Sequence, residues 1–185
     1  MKPRKTLRLI LIGLAIILLA GLLIPEHYQM PCGTTNDYNH LSFWWHPWTR
    51  GPKGSPHSGV DIFGKEGVDV RPAVGGIVVY AGWLGDISGN MVVVLGPKWK
   101  LHEYIHLKEI HVHPGQRVRH DTVIGTLGKT GNAAKTPAHV HYGIVTPLPY
   151  FWLYNRRIGS GEQPKRFNWM KMFWLNPDDY LRRDR

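Results

Sequence analysis

Cysteine is almost absent from this chain. Cys32 stands alone, which excludes an intramolecular disulfide and any zinc site built from several thiolates. We expect it to be a lone thiol just outside a membrane, since Gln29-Met30-Pro31 lacks the small residues that a lipid-attachment cysteine needs in front of it. Acidic residues are also scarce, 13 against 23 Lys and Arg, for a formal net charge of +10. That balance favours anionic partners such as cell-wall polymers or lipid headgroups. No nucleic-acid-binding motif is visible, and several of the basic residues flank an apolar segment, so nucleic acid is not expected as a partner. There is no fixed-period repeat, no low-complexity tract and, beyond the first 25 residues, no convincing long amphipathic helix. These absences argue against solenoids and bundles. At 185 residues, one domain plus an appendage is expected.

The single long apolar run is at the N-terminus. Lys2, Arg4, Lys5 and Arg8 precede an uncharged stretch from Leu9 to Ile24, ended by Pro25, and Leu7 extends it if Arg8 snorkels. The run is longer than the 7–15 apolar residues of a cleaved signal, and no A-x-A-like site follows. Residues 1–25 are therefore expected to be a signal anchor with its basic flank cytoplasmic and the rest of the chain on the other side of the membrane. Residues 26–55 show no clear period but carry Phe43-Trp44-Trp45-His46-Pro47-Trp48. They read as a Trp-rich linker that packs its aromatics on the domain.

From His57 onward, short Val/Ile/Tyr-rich runs alternate with Gly and Pro. Strands are expected at Gly76–Gly82, Met91–Leu95, Leu101–His106, Val123–Gly128 and around His139–Val145. The fold class is all-β, an antiparallel β-sandwich or open barrel. In the last of these runs, His139-Val140-His141 places two imidazoles on one face, because residues two apart on a strand point the same way. His57 and Asp61 are four apart, with Gly59 between them to let the backbone bend. Two nitrogens and one carboxylate oxygen suit Zn²⁺ with a fourth position left open, which is the catalytic arrangement. Glu103-Tyr104-Ile105-His106-Leu107 supplies another histidine at a strand end. Among the remaining histidines, His111 and His113 form a second H-x-H, but Pro114-Gly115 follows at once and marks a turn. His102 is expected at the surface near the site rim.

These motifs, H-x3-D, Y-x-H-L and H-x-H in that order, closely resemble the lysostaphin-type (LytM-like) zinc endopeptidases, which cut peptide bonds of bacterial peptidoglycan. Gly59-Val60-Asp61-Ile62, Gly75-Gly76-Ile77-Val78, Gly125 to Gly131 and Asn176-Pro177 with Tyr180-Leu181 fit the same pattern. The resemblance implies one zinc held by His57, Asp61 and His141, with His106 and His139 as catalytic histidines. Asn90 and Tyr104 are possible supports. It also implies peptidoglycan as the substrate, a periplasmic or extracellular catalytic domain over residues 56–185, and a possible regulatory protein partner. The alternative is a catalytically idle wall-binding or amidase-activating module on the same fold. One departure is an insertion at about residues 146–175, aromatic and basic, which either covers the domain or contacts polymer or membrane.

Overall fold

The computed structural model describes residues 3–33, 42–44, 56–157 and 165–182. The first element, α1 (Pro3–Leu23), carries 19 consecutive residues long and apolar enough to cross a membrane, and almost none of that surface is buried by the rest of the chain. An apolar helix left almost wholly exposed by the rest of the chain is a candidate membrane span rather than a core helix.

The remainder is antiparallel β-structure. The main sheet contains β1 (Gly59–Phe63), β3 (Gly76–Trp83), β4 (Asn90–Leu95), β5 (Leu101–Leu107), β7 (Arg117–Val118), β9 (His139–Val145) and β10 (Trp174–Leu175). Its order is β1-β9-β5-β4-β3-β7, with β10 also pairing to β9. Thus β1 and β10 share one edge of β9 end to end. A second, three-stranded sheet runs β2 (Asp69–Val70), β8 (Gly125–Thr126), β6 (Glu109–Ile110).

One face of the main sheet is core. Val60, Ile62, Val92, Val94, Tyr104, Val140, Tyr142 and Ile144 all point there, and Val70, Ile124 and Leu127 from beside the small sheet join them. Fully burying each such side chain is worth about 1.5–3 kcal/mol. Tyr104 and Tyr142 stack at 5.3 Å, and the Tyr104 hydroxyl accepts a 2.7 Å hydrogen bond from the Ala73 amide.

Three expectations change at this level. The strand expected over Val123–Gly128 shortens to β8, because Ile124 bonds across to Val70 and His111 outside any ladder and its side chain fills the core instead. His102 is not at the surface. It has 0 % exposure, its Nδ1 lies 2.8 Å from the Tyr142 hydroxyl, and its ring packs against Tyr28, because it shares the core face with Tyr104. Gly59 does not bend the chain; it lies inside β1. Phe43 and Trp44 are buried in the same core, as are Tyr28 and Cys32; Trp45, His46 and Trp48 lie outside the described residues.

Candidate metal centre and groove

The pairing of β1 with β9 sets Asp61 opposite His141, so both project from the face of the sheet away from the core. His57, two residues before β1, folds back onto them. Three potential donor atoms converge: His57 Nε2 lies 3.1 Å from Asp61 Oδ1, His141 Nδ1 lies 3.0 Å from Asp61 Oδ1, and the two nitrogens lie 3.0 Å apart. The lone pairs matter here. His57 Nδ1 donates to the Ser42 carbonyl at 3.0 Å, and a carbonyl only accepts, so Nε2 of the neutral ring is bare. A bare nitrogen, a carboxylate oxygen and a second ring nitrogen at mutual contact form a set that a cation satisfies. Their edges are within a few tenths of the about 3.4 Å kept by tetrahedral donors about 2.1 Å from one zinc.

Gly59 makes this possible. A Cβ there would fall 2.4 Å from the Tyr142 carbonyl oxygen and 2.6 Å from His141 Nε2. The missing side chain is what lets the His141 ring sit over β1, so its role is close approach rather than bending.

His139 and His106 flank the triangle. His139 Nε2 is 3.9 Å from Asp61 Oδ1, and the His106 ring lies 5.0 Å from that of His139 and 6.2 Å from that of His141. By alternation alone, His106 would follow His102 and Tyr104 into the core. It does not, because Asn90 pairs with Leu107 while Met91 pairs with Ile105, leaving His106 as the extra residue of a bulge at φ 70°. Bulges re-aim side chains in this way, and a left-handed non-glycine residue is a local strain characteristic of functional sites. Thr130 holds the bulge: its carbonyl accepts from His106 Nδ1 at 2.9 Å, while its hydroxyl donates to the Leu107 carbonyl and accepts from the Asn90 amide. Asn90 Nδ2 adds a bond to the Lys108 carbonyl. His139 Nδ1 donates to the Pro137 carbonyl at 2.8 Å. In both rings, Nδ1 is committed and a bare Nε2 is left when the ring is neutral.

The electrostatics follow the packing. Burial pushes the Asp61 carboxyl up, but the His141 and His57 rings against it, in their charged forms, outweigh this and hold the group far below the usual carboxylate range. For His57, burial lowers the pKa, yet the Asp61 carboxylate more than offsets this and the net shift is upward. For His141, burial wins and the shift is downward. Burial, then the neighbouring imidazoles, bring His106 down to about 4, so it is neutral at pH 7.

All five motif residues therefore meet at one end of the sheet's open face. Asn90 reaches the bulge, whereas Tyr104 lies on the opposite face and touches none of them. His111 and His113 are remote and exposed or nearly so, His111 beside Glu109. Motif reading missed Ser42, Thr130 and Pro137, whose oxygens orient the rings; the signal was that a working histidine needs an acceptor for its second nitrogen. It also missed Glu103. The register Gly59–Gly143–Glu103–Val93 runs across the same face, one step beyond the donor triangle, with Glu103 Oε2 lying 3.2 Å from the place where a Gly143 Cβ would be. Burial pushes that carboxyl up to about 7.

An antiparallel sheet that presents a His2Asp donor triangle at one end of an open face, flanked by two acceptor imidazoles, is the scaffold of a metal-dependent hydrolase. The chain belongs to Peptidase family M23, whose domain matches residues 55–149. It is 35 % identical over 101 residues to the glycyl-glycine endopeptidase ALE-1 of Staphylococcus capitis, covering 54 % of this chain and 27 % of that protein. It is 32 % identical over 127 residues to the L-Ala–D-Glu endopeptidase of Bacillus subtilis, covering 64 % of this chain and 38 % of that one. The chain thus spans between about a quarter and two-fifths of the length of these curated relatives. The catalytic domain of lysostaphin from Staphylococcus simulans shares the fold, with a TM-score of 0.56 at 23 % identity, over 78 % of this chain and 90 % of that one.

Proposed function

We propose that the chain is a membrane-anchored zinc endopeptidase that hydrolyses peptide cross-links or bridges of bacterial peptidoglycan. The observation that carries this reading is the donor triangle of His57, Asp61 and His141, with edges of 3.0–3.1 Å and converging lone pairs. The names of the relatives support the substrate class. Two of them are named for different bonds, glycyl-glycine and L-Ala–D-Glu, so the reading is of a peptide bond in the wall and not of one particular linkage. The apolar α1 supports the anchor, with residues 1–25 as anchor, 26–55 as connecting segment and 56–185 as peptidase domain on the periplasmic or outer side.

Zinc held by these three residues supplies Lewis-acid chemistry, acidifying water toward a pKa of about 7 and polarising a carbonyl. The remaining work falls to the chain. His139, through its bare Nε2, takes the proton of the attacking water and later returns it to the leaving amine. His106, neutral and with Nδ1 held by the Thr130 carbonyl, offers its bare Nε2 as a second acceptor that orients the attacking water. The bulge and Thr130 keep that ring in place.

Completeness of the donor set is what favours an enzyme over an idle binding module. The test is hydrolysis of purified peptidoglycan by the full chain and by His139→Ala, with zinc content measured on both. The reading requires that the variant keep its zinc and fold but lose about 10²–10⁴-fold in rate. Undiminished hydrolysis by the variant defeats it.

A further inference from the structure

The insertion builds a cavity remote from the catalytic groove. It measures about 440 Å³ and is bounded by Lys98, Arg156, Arg157, Trp152 and Trp174, with Glu26 beneath. The Glu26 carboxylate accepts from Lys100 Nζ at 2.7 Å and pairs with Lys98 Nζ at 2.9 Å, so one acid answers two lysines. Counting Asp179, the lining holds four cationic side chains and two anionic ones. The guanidinium groups of Arg156 and Arg157 have no acidic partner among the described residues.

The place of this cavity is fixed by α1. Glu26 follows the helix by three residues. Trp99, on the loop that also carries Lys98, donates its indole N–H to the Leu18 carbonyl at 2.9 Å, and its ring lies where a Cβ on Gly21 would sit. Leu18 is about 7–8 Å below the helix end, at 1.5 Å per residue. The domain is therefore strapped to the final turns of the apolar helix, and the cavity lies at the level where that helix leaves its apolar surroundings. Phe151 and Trp152, beside Arg156, are each 70 % exposed, with Trp152 stacked on Tyr150 at 4.7 Å. Large aromatics left bare next to arginines, at the end of a spanning helix, match the aromatic belt of a membrane interface.

We propose that this cavity binds the headgroup of an anionic phospholipid in the leaflet facing the catalytic domain, an inference that rests on the anchored reading given above. The two arginines take the phosphate through paired N–H bonds. Trp152, Trp174 and Leu153 receive the glycerol and the start of the acyl chains. Tethering the insertion in this way, together with the Trp99 strap, holds the domain close against the membrane, with a restricted reach into the wall.

The experiment uses the full chain in detergent micelles, with phosphatidylglycerol or phosphatidylcholine added in equal amounts and retained lipid read by native mass spectrometry. The expected result is selective retention of phosphatidylglycerol, weakened about fivefold for each arginine removed in R156A and R157A, and weakened by W152A while circular dichroism stays unchanged. Equal retention of the two lipids overturns the inference, as does a preference untouched in R156A/R157A. Displacement of the lipid by millimolar inorganic phosphate would make this a plain anion site and also overturns it. Carbonate extraction of the chain from bacterial lipid vesicles reports separately: release defeats the anchor itself, whereas retention without lipid preference defeats only the headgroup site.

Discussion

Glu103→Gln isolates a consequence of the groove's construction. Glu103 lies over Gly143 on the open face, and burial alone raises its pKa from 4.5 to about 7. The folded chain therefore holds this proton where the unfolded chain has released it. For a carboxyl shifted upward, no penalty exists below pH 4.5, where both states are protonated; stability then falls as pH rises, and the loss is complete above about pH 7. Raising the carboxyl from 4.5 to about 7 corresponds to about 3 kcal/mol, and partial solvent access reduces this to about 2 kcal/mol. Glutamine keeps the size and the hydrogen-bonding capacity but cannot ionise. In metal-stripped protein, urea melts of wild type and E103Q should coincide at pH 4.5 and differ by about 2 kcal/mol in favour of E103Q at pH 8. Histidine titrations occur in both proteins and cancel in the difference. A gap that does not change with pH would refute the reasoning, since it would mean that glutamine packs better rather than that a buried charge has been removed.

Two further substitutions probe how the site is held. Gly59→Ala puts a Cβ against the Tyr142 carbonyl and the His141 ring; it should cost about 1–3 kcal/mol in a thermal melt and weaken zinc binding, because the ring must move. Thr130→Val removes the hydroxyl that bonds Leu107 and Asn90. It should lower the hydrolysis rate several-fold through misplacement of His106 while leaving zinc stoichiometry at the wild-type value, as read by elemental analysis.

Much of this centre was legible because its residues obey strand periodicity. His139 and His141 alternate on β9, and a single antiparallel register brings Asp61 opposite His141. What alternation cannot give is the exception to it. His102, Tyr104 and His106 form one apparent face, yet His102 is sealed in the core and His106 turns out of it. The difference is one bulge, and bulges depend on which residues pair across β4 and β5 rather than on either strand alone. Gly59 was visible as a glycine but not as the space that the His141 ring needs, because that contact spans 82 positions of sequence. Ser42 and Pro137 act through backbone carbonyls, which every residue has, so side-chain identity gives no hint of them; the Thr130 hydroxyl reaches Leu107 and Asn90, partners that lie far away in sequence. Phe43 and Trp44 pack on the domain as expected of the Trp-rich segment, but an aromatic cluster with no period does not reveal which part of the core it will cover.

The central claim is that His57, Asp61 and His141 hold a single zinc. Metal-stripped full chain should be titrated with zinc against a chromophoric chelator, for wild type and Asp61→Asn. The account predicts one tightly bound zinc per wild-type chain and, with the anionic donor gone from the triangle, an affinity lowered by a factor on the order of 10² or more in the variant. Equal zinc affinity in the two proteins, or a wild-type chain that binds none, would contradict it.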